Sequence, residues 1–292
     1  MIVVTTPTGH IGSQLVKDLV AAKESVRVIA RDPGRIAPEI RGQVKIVQSS
    51  TDDEAVWMRA LEGAESLFLV VPPDFATNNI TEYYLQFTRP ACKAVTSLGV
   101  KRIVSVSGMG RGIQVNAGPV TAAFVKDAEI ERSGVDFRAL WCPGFMENML
   151  RQVHPLKQQG MFFGPSRPDV KAPQVSTRDI AASAAKLLLD RSWTGQGGLA
   201  VLGPEDLSID DMAAIMTDVL GKPIRYQTVP AEAYKAQLMS FGASEAFAQG
   251  LVEMHAAKDN GLDNHESRTA ENTTATTFRK WCNEVLKPAV FS

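Results

Sequence analysis

The sequence predicts an α/β fold, a doubly wound parallel sheet followed by a smaller, mostly helical lobe. Two observations carry this. Short apolar runs alternate with helical segments of one-crossover length through the first half of the chain. The rhythm then breaks after Asn148, where glycine and proline gather in "QQGMFFGPSRPD". The expected division is residues 1–150 for the sheet and 151–292 for the smaller lobe, with some later strands free to return to the main sheet.

Each element has its own signal. Ile2-Val3-Val4 is an apolar run that ends at threonine and proline. Ile11, Leu15, Val16, Leu19 and Val20 then recur at helical spacing, with Lys17 and Asp18 on the other face. "SVRVIA" and "VKIVQ" read as the second and third strands. "WMRALEG" reads as a helix stopped by Gly63. "SLFLVVPP" is apolar on both faces, as a central parallel strand is. "RPACKAVTSLGV" is expected as a helix that opens with Pro90 and closes with Gly99. "RIVSVS" is the fifth strand, "AAFVKDAEIERSG" a helix and "DFRALWCPG" the sixth strand. Beyond it, "QQGMFFGPSRPD" is expected as loop. "STRDIAASAAKLLLD" is a helix that Ser176 or Thr177 can cap, and "GGLAVLGP" is a strand. "SIDDMAAIMTDVLG" pairs Ser208 with Asp211 in a near capping box. The strand "IRYQTVP", two helices and a last helix in "TTFRKWCNEVLK" complete the chain, with no internal repeat.

Bulk properties narrow the function. The chain has 292 residues, 45% hydrophobic and 22% charged, so it can bury a sizeable core without staples. A formal net charge of -1 gives no basic surface for nucleic acid or for a membrane. Cys92, Cys142 and Cys282 form no CxxC pair and read as free thiols in a reducing compartment. The four histidines share no metal-ligand spacing, so no metal is expected. No basic stretch precedes Ile2 and no apolar run is long enough to span a bilayer, so the expected location is cytoplasmic. A homodimer is left open.

The turn "TPTGHIG" lies between the first strand and the first helix. Helix N-terminal N–H groups and the helix dipole attract phosphate, and glycines allow close approach. Gly9 and Gly12 keep the second and third places of a GxxGxxG pattern, and Thr6 takes the first. Because Thr6 precedes Pro7, extended backbone is expected there rather than positive φ. The hydroxyls of Thr6 and Thr8 are available to a phosphate oxygen, and His10 and Ile11 supply backbone between the glycines. The plainer reading is a helix cap and a close packing contact without ligand. At the end of the second strand an acid would favour NAD. Here Arg31 and Arg35 stand instead, and a guanidinium matches a 2′-phosphate in charge and geometry. The expected cofactor is therefore NADP(H), with a surface arginine beside Asp32 as the plainer reading of Arg31.

Together with "VRVIARDPGRI", "KRIVSVSG", "ERSGVDFRALWCPGFMENML" and "VSTRDIAASAAKLLLD", these segments resemble the NmrA-like group of atypical short-chain dehydrogenases over nearly the whole chain. The most specific piece is "PGFMEN", residues 143–148. The resemblance implies a Rossmann-like sheet, NADP(H) and a substrate cleft between the sheet and a smaller substrate lobe. The group includes quinone and azo-dye reductases, plant phenylpropanoid reductases, ergot-alkaloid reductases and regulators that bind the dinucleotide without turnover. Some members in aromatic polyketide pathways reduce quinones before oxygen is inserted. Carried over, Gly9 to Gly12 hold the pyrophosphate and Arg31 the 2′-phosphate. Val71 and Pro72 line the adenosine side or the nicotinamide path, Ser107 lies near the nicotinamide, and Gly144, Phe145 and Met146 lie on its substrate side. Departures are Thr6, Ser49-Ser50 where Gly-Asp is frequent, and Trp141-Cys142 where Arg-Pro is frequent.

The Tyr-x-x-x-Lys pair of most short-chain dehydrogenases is absent: Ala122 stands four residues before Lys126, and the plant members' lysine falls at Ala123. Lys126 is expected as a solvated helix residue beside Asp127. Ser107, Lys126 and His154 remain the candidates for catalysis. Phe75, Met109, Met146, His154 and Phe162 are the candidates for contact with substrate, Met146 and Phe162 flanking the lobe junction. A quinone needs orientation more than a strong acid. The expected activity is therefore NADPH-dependent reduction of quinones or related flat conjugated compounds. The alternative is an NADP(H)-sensing regulator that acts through a protein partner.

Overall fold

The computed structural model describes residues 1–49 and 54–292. In chain order the first half runs β1 (Ile2–Val4), α1 (His10–Ala21), β2 (Val26–Ala30), α2 (Pro38–Arg41), β3 (Lys45–Gln48), α3 (Glu54–Leu61), β4 (Ser66–Leu69), α4 (Ile80–Leu98), β5 (Arg102–Gly108), α5 (Pro119–Arg132) and β6 (Asp136–Cys142). The rest runs β7 (Gly144–Phe145), α6 (Val153–Gln159), β8 (Met161–Gly164), β9 (Ala172–Val175), α7 (Thr177–Leu189), β10 (Gln196–Ala200), β11 (Asp206–Leu207), α8 (Ile209–Leu220), β12 (Arg225–Thr228), α9 (Ala231–Ser240), α10 (Glu245–Asp259), α11 (Phe278–Trp281) and α12 (Lys287–Phe291).

Seven strands form one sheet in the order β10-β6-β5-β4-β1-β2-β3. Every pairing in it is parallel. The sheet is apolar on both faces because its strands alternate between two cores. Ile2, Val4, Phe68, Val104 and Leu140 face α1 and α7. Val3, Leu67, Leu69, Ile103, Phe137 and Ala139 face the opposite layer with Trp57 and Phe87. A third core, rich in methionine, holds the small lobe together: Met146, Met149, Met212 and Met216 pack with Phe162, Phe278 and Trp281. Two small sheets, β11-β9-β7 and β12-β8, flank it. β10 and α7, from the second half of the chain, pack into the large sheet's layers.

Chain order reverses where β1 lies between β4 and β2, the place where open α/β sheets take ligands. Thr5 fixes the geometry there. Its hydroxyl accepts from Val70 N at 2.8 Å and lies 3.2 Å from both Phe68 O and Val70 O, and its own N–H donates to Phe68 O. The ends of β1 and β4 are thus locked together beneath the first turn.

Four local expectations need correction. α4 does not open at Pro90: it starts at Ile80, capped by the Asn79 side chain on Glu82 N at 3.0 Å, and Pro90 sits inside it. The tolerance is physical, since a ring on a long, otherwise well-bonded helix removes a single donor. Gly99 closes the helix at φ 68. "MFFG" is not loop but β8, paired in parallel with β12, Met161 opposite Arg225; its glycine-flanked apolar run is too short to reveal so distant a partner. α7 has Ser176 at its N-cap without a side-chain bond; Glu147 Oε2 takes the Thr177 N–H at 2.9 Å instead. Thr6, expected extended, has φ 49. The Ser208–Asp211 capping box is complete, both reciprocal bonds being 3.0 Å.

Thr5→Val keeps the volume and removes the hydroxyl, leaving Val70 N without its acceptor. The expected loss is about 1–3 kcal/mol, read as a lower urea midpoint at unchanged m-value.

Candidate functional site

The first turn is built on close contact. Gly12 lies so near the preceding turn that a Cβ would come within 2.2 Å of Thr6 O and 3.2 Å of Pro7 Cα. Thr6 turns through φ 49 to bring that carbonyl round, and the same carbonyl accepts from Gly9 N at 3.1 Å. At Gly9, the N-cap of α1, a Cβ would meet only Thr6 O at an ordinary 3.5 Å. The two glycines therefore differ. Gly12 is required by the chain's own packing, whereas nothing in the chain requires Gly9, whose open side faces solvent beside the unpaired N–H groups of the first helical turn. His10 is exposed, Thr6 and Thr8 are half-buried, and Ile11 is packed inward.

The charge at the end of β2 is open too. Asp32 does not neutralise Arg31; its Oδ1 accepts from Gly34 N at 2.9 Å and caps the next turn. Arg41 braces the same loop through Gly34 O and Ile36 O at 2.6 and 2.8 Å. Arg31 and Arg35 are exposed, and neither has an acidic partner among the described residues. Val71 is buried and Pro72 half-buried, with Pro72 O taking the Tyr83 hydroxyl at 3.0 Å. Ser49 ends β3's loop; Ser50 lies outside the described residues.

Ser107 and Lys126 are brought together, but not at a surface. Lys126, expected solvated, is only 1% exposed. Its Nζ donates to Ser105 Oγ at 2.5 Å and Val106 O at 2.8 Å. It also lies 2.9 Å from Asp127 Oδ1, an ion pair whose angle is not that of a hydrogen bond. Ser107 Oγ donates to Asp127 Oδ2 at 2.5 Å. The ammonium is buried because a carboxylate, a hydroxyl and a carbonyl replace its hydration. The cluster ties α5 to β5, and Ala122, four residues earlier, is fully buried. No general acid is exposed at this strand end.

Beyond β6 the chain encloses a cavity of about 300 Å³, lined from Gly144 onward by the loop after β6 and the small lobe. Gly144, Phe145, Met146 and Phe162 line it. Met109 does not; it is 1% exposed and packs on Ala200 and Leu202. His154 is also outside the cavity, on the exposed face of α6. Phe75 stands outside as well, its ring tilted against Phe247 at 5.0 Å between centroids with Arg151 above its ring at 5.9 Å; Arg151 itself reaches the cavity wall.

The cavity's polar side escaped the sequence reading. Leu251, Met254, His255, Lys258 and Asp259 of α10 line it. Their i, i+3/4, i+7/8 spacing is one helical stripe that passes from apolar to polar, a signal available to anyone following that helix to its end. His255 Nδ1 is 2.8 Å from Ser166 Oγ, and Nε2 is 3.5 Å from the Tyr234 hydroxyl, whose ring meets the imidazole edge-on. Burial, helped by the Lys258 charge, holds the His255 pKa down at about 4. Burial raises that of Tyr234. Glu147 was also missed: besides capping α7 it accepts from Trp281 Nε1 at 3.1 Å, pinning "PGFMEN" to the small lobe. The three cysteines are free and buried, and burial pushes each thiol up, Cys92 and Cys282 to about 12, so none is a thiolate at neutral pH. No acid-and-histidine or cysteine cluster fit for a metal occurs among the described residues, and no helix there is long and apolar enough to cross a membrane.

A seven-stranded parallel sheet with a glycine turn at its reversal point defines a Rossmann-like α/β protein. The chain belongs to the NmrA-like family, whose model matches residues 1–282. An NAD(P)H azoreductase of Xenophilus azovorans is 27% identical over 265 residues, spanning 88% of this chain and 86% of that protein. Among solved structures, an NADPH-dependent quinone oxidoreductase of Escherichia coli complexed with NADPH superposes with TM-score 0.80 at 23% identity, covering 98% of this chain and 100% of that one. A Citrobacter triphenylmethane reductase complexed with NADP(H) gives 0.76 at 19% identity, covering 100% and 99%.

Because His255 is neutral when folded and titrates near 6.5 when unfolded, its burial lowers stability as acid is added. Stability is full above pH ~6.5 and falls by about 3 kcal/mol towards pH 4, where the folded-state pKa lies. His255→Gln is expected to flatten that part of a urea-midpoint profile against pH.

Proposed function

We propose that this chain is an NADPH-dependent reductase of quinones or related flat conjugated compounds. The observation that carries the reading is the exposed glycine turn at the reversal point with Arg31 and Arg35 unneutralised beyond β2, in a chain that also holds an apolar cavity past β6. Its parts fit a phosphorylated dinucleotide. The unpaired amides of His10, Ile11 and Gly12 suit a pyrophosphate, and Gly9 leaves its approach clear. Arg31, with Arg35 nearby, offers an unneutralised guanidinium for a 2′-phosphate. In this reading Thr6, Thr8, Val71 and Pro72 border the cofactor, and Gly144 and Phe145, which line the cavity, take its nicotinamide end. The reductase activities and NADPH complexes of the named relatives support the same reading.

When bound, NADPH supplies the hydride. The chain's own contribution is position and exclusion of water. Phe145, Met146, Met149, Phe162, Met212 and Tyr226 surround the cavity with flat or deformable apolar surface. Such walls hold a conjugated ring by its faces, and the cavity is at the small end of ligand pockets. With Ala122 in the usual tyrosine place and Lys126 consumed inside the fold, the β5–α5 edge does not supply the acid a simple ketone needs. Acceptors that take hydride readily are favoured, since orientation dominates their barrier.

The test is NADPH oxidation against a panel of quinones, azo dyes and enones, with turnover expected on quinones. Tight NADPH binding with silence across the panel overturns the reading in favour of a sensor. Arg31→Ala is expected to weaken NADPH by roughly 10- to 100-fold, the worth of a charged hydrogen bond, while changing NADH little. Equal weakening of both, by calorimetry, would remove Arg31 from the 2′-phosphate site.

A further inference from the structure

We propose that Tyr234, His255, Ser166 and Asp259 form a proton relay that delivers to the reduced acceptor the proton that hydride transfer leaves it needing, with Tyr234 as the donor. The inference rests on the reductase reading above and assigns that site the acid it otherwise lacks.

All four residues line the same cavity as Gly144 and Phe145. Two of the links are formed in the structure, and the third joins neighbours. Tyr234 OH is 3.5 Å from His255 Nε2, and His255 Nδ1 is 2.8 Å from Ser166 Oγ. Asp259 lines the cavity next to the Ser166 turn, its Oδ2 held by Arg167 N, and the Ser166 hydroxyl favours its ionised form. The first link is long, as catalytic contacts without substrate often are. The support is rigid. Tyr226 OH donates to Ser166 O at 3.0 Å, and Asp259 Oδ2 accepts from Arg167 N at 3.0 Å, so the Ser166 turn is held from two elements.

An ionised Asp259 orients the whole chain. It can only accept, so Ser166 O–H points at it and Ser166 Oγ accepts from His255 Nδ1–H. Nε2 is then the bare nitrogen and faces Tyr234 O–H. Protonating Asp259 reverses every link: Asp259 donates to Ser166, Ser166 to Nδ1, Nε2–H to the tyrosine oxygen, and Tyr234 O–H is free to point into the cavity. In the reducing direction the hydride's electron pair forms the new bond on the acceptor and leaves an oxyanion. That oxygen takes the Tyr234 proton, and each donor behind it is replenished by the next. Asp259 ends ionised and regains its proton from water at the cavity mouth. The sum is one acceptor, one NADPH and one proton giving the reduced acceptor and NADP+. A neutral imidazole is required, and burial keeps His255 neutral throughout the physiological range. Burial also raises the Asp259 pKa, which assists loading.

The groups facing the relay are identifiable. Arg151 faces Tyr234; Arg167 and Asp169 face Asp259. Lys258 faces His255 but is paired with Asp263, and Tyr226 lies beside Asp259 and Tyr234.

The experiment uses the full-length protein with a simple quinone. Tyr234→Phe is expected to lower kcat by about 100-fold with little change in KM, with NADPH affinity and circular dichroism as the check on folding. His255→Gln should act in the same direction, giving a second variant if one folds poorly. The wild-type kcat should fall as pH rises through the Asp259 pKa, and Asp259→Asn should abolish that limb. Independently of turnover, the 15N spectrum of the His255 imidazole should show Nδ1–H above that pKa and Nε2–H below it. Wild-type kcat in a folded Tyr234→Phe protein, or a His255 tautomer indifferent to pH and to Asp259→Asn, overturns the relay. A wild-type protein that fails to oxidise NADPH with every acceptor tried would instead defeat the reductase reading and leave the tautomer measurement to decide whether the four groups are linked.

Discussion

The structure depends on one close approach, that of Gly12 to the carbonyl of Thr6. With no Cβ on Gly12, the start of α1 settles directly on the first turn. That contact fixes the direction in which the first-turn amides point. Thr6 bears the conformational cost: φ 49 is a sparsely populated state for a residue with a side chain, of order 1–3 kcal/mol. The surrounding bonds over-determine it. Thr5 is locked to the end of β4 on one side, and Thr6 O is held by the Gly9 amide on the other. A glycine in the first position would adopt this turn more cheaply. The threonine can stand there because the backbone before and after it leaves no alternative.

The other side of the site is organised by Glu147. Its two oxygens accept from the start of α7, in the large layer, and from Trp281, in the methionine-rich core. A carboxylate at a helix N-terminus is favoured by the unpaired N–H groups and the helix dipole, so one residue fixes how the loop after β6 leaves the sheet. The cavity lies along that loop. Its apolar wall is rich in methionine, whose flexible side chains tolerate differences in shape. The polar wall, by contrast, is rigidly bonded. Tolerance of ring shape with a fixed direction for protons is the combination expected where the acceptor varies and the chemistry does not.

How much of this was legible follows from the range of each signal. The alternating apolar runs of β1 to β6 are local, and the sheet formed as the pattern implied. So were Gly9, Gly12 and the missing acid after β2. What failed depended on contacts distant in sequence. β8 is a strand only because β12 lies beside it. Lys126 looks like a surface residue until β5 brings Ser105 and the Val106 carbonyl to its ammonium. Met109 and His154 were plausible by composition, but one turned into the core and the other out to solvent. The α10 stripe was visible as a helix face, yet nothing local says that this face closes over the end of β6.

The buried Lys126 cluster and the α10 stripe bear on each other. At the end of β5 the strand's own polar groups are satisfied from within: Ser105 and Val106 by the lysine, Ser107 by Asp127. A group so bonded is fixed in place and cannot also exchange protons with a substrate without breaking a buried network, which is costly in a low dielectric. The β5–α5 edge therefore acts as a rigid floor. Proton chemistry requires the opposite, groups that are desolvated enough to hold a direction but still connected to water. Asp259, half-buried at the end of α10 and followed inward by Ser166, His255 and Tyr234, has that gradient from solvent to cavity. The division of labour is physical: the sheet edge supplies fixed geometry, and the lobe above it supplies the groups that can change protonation.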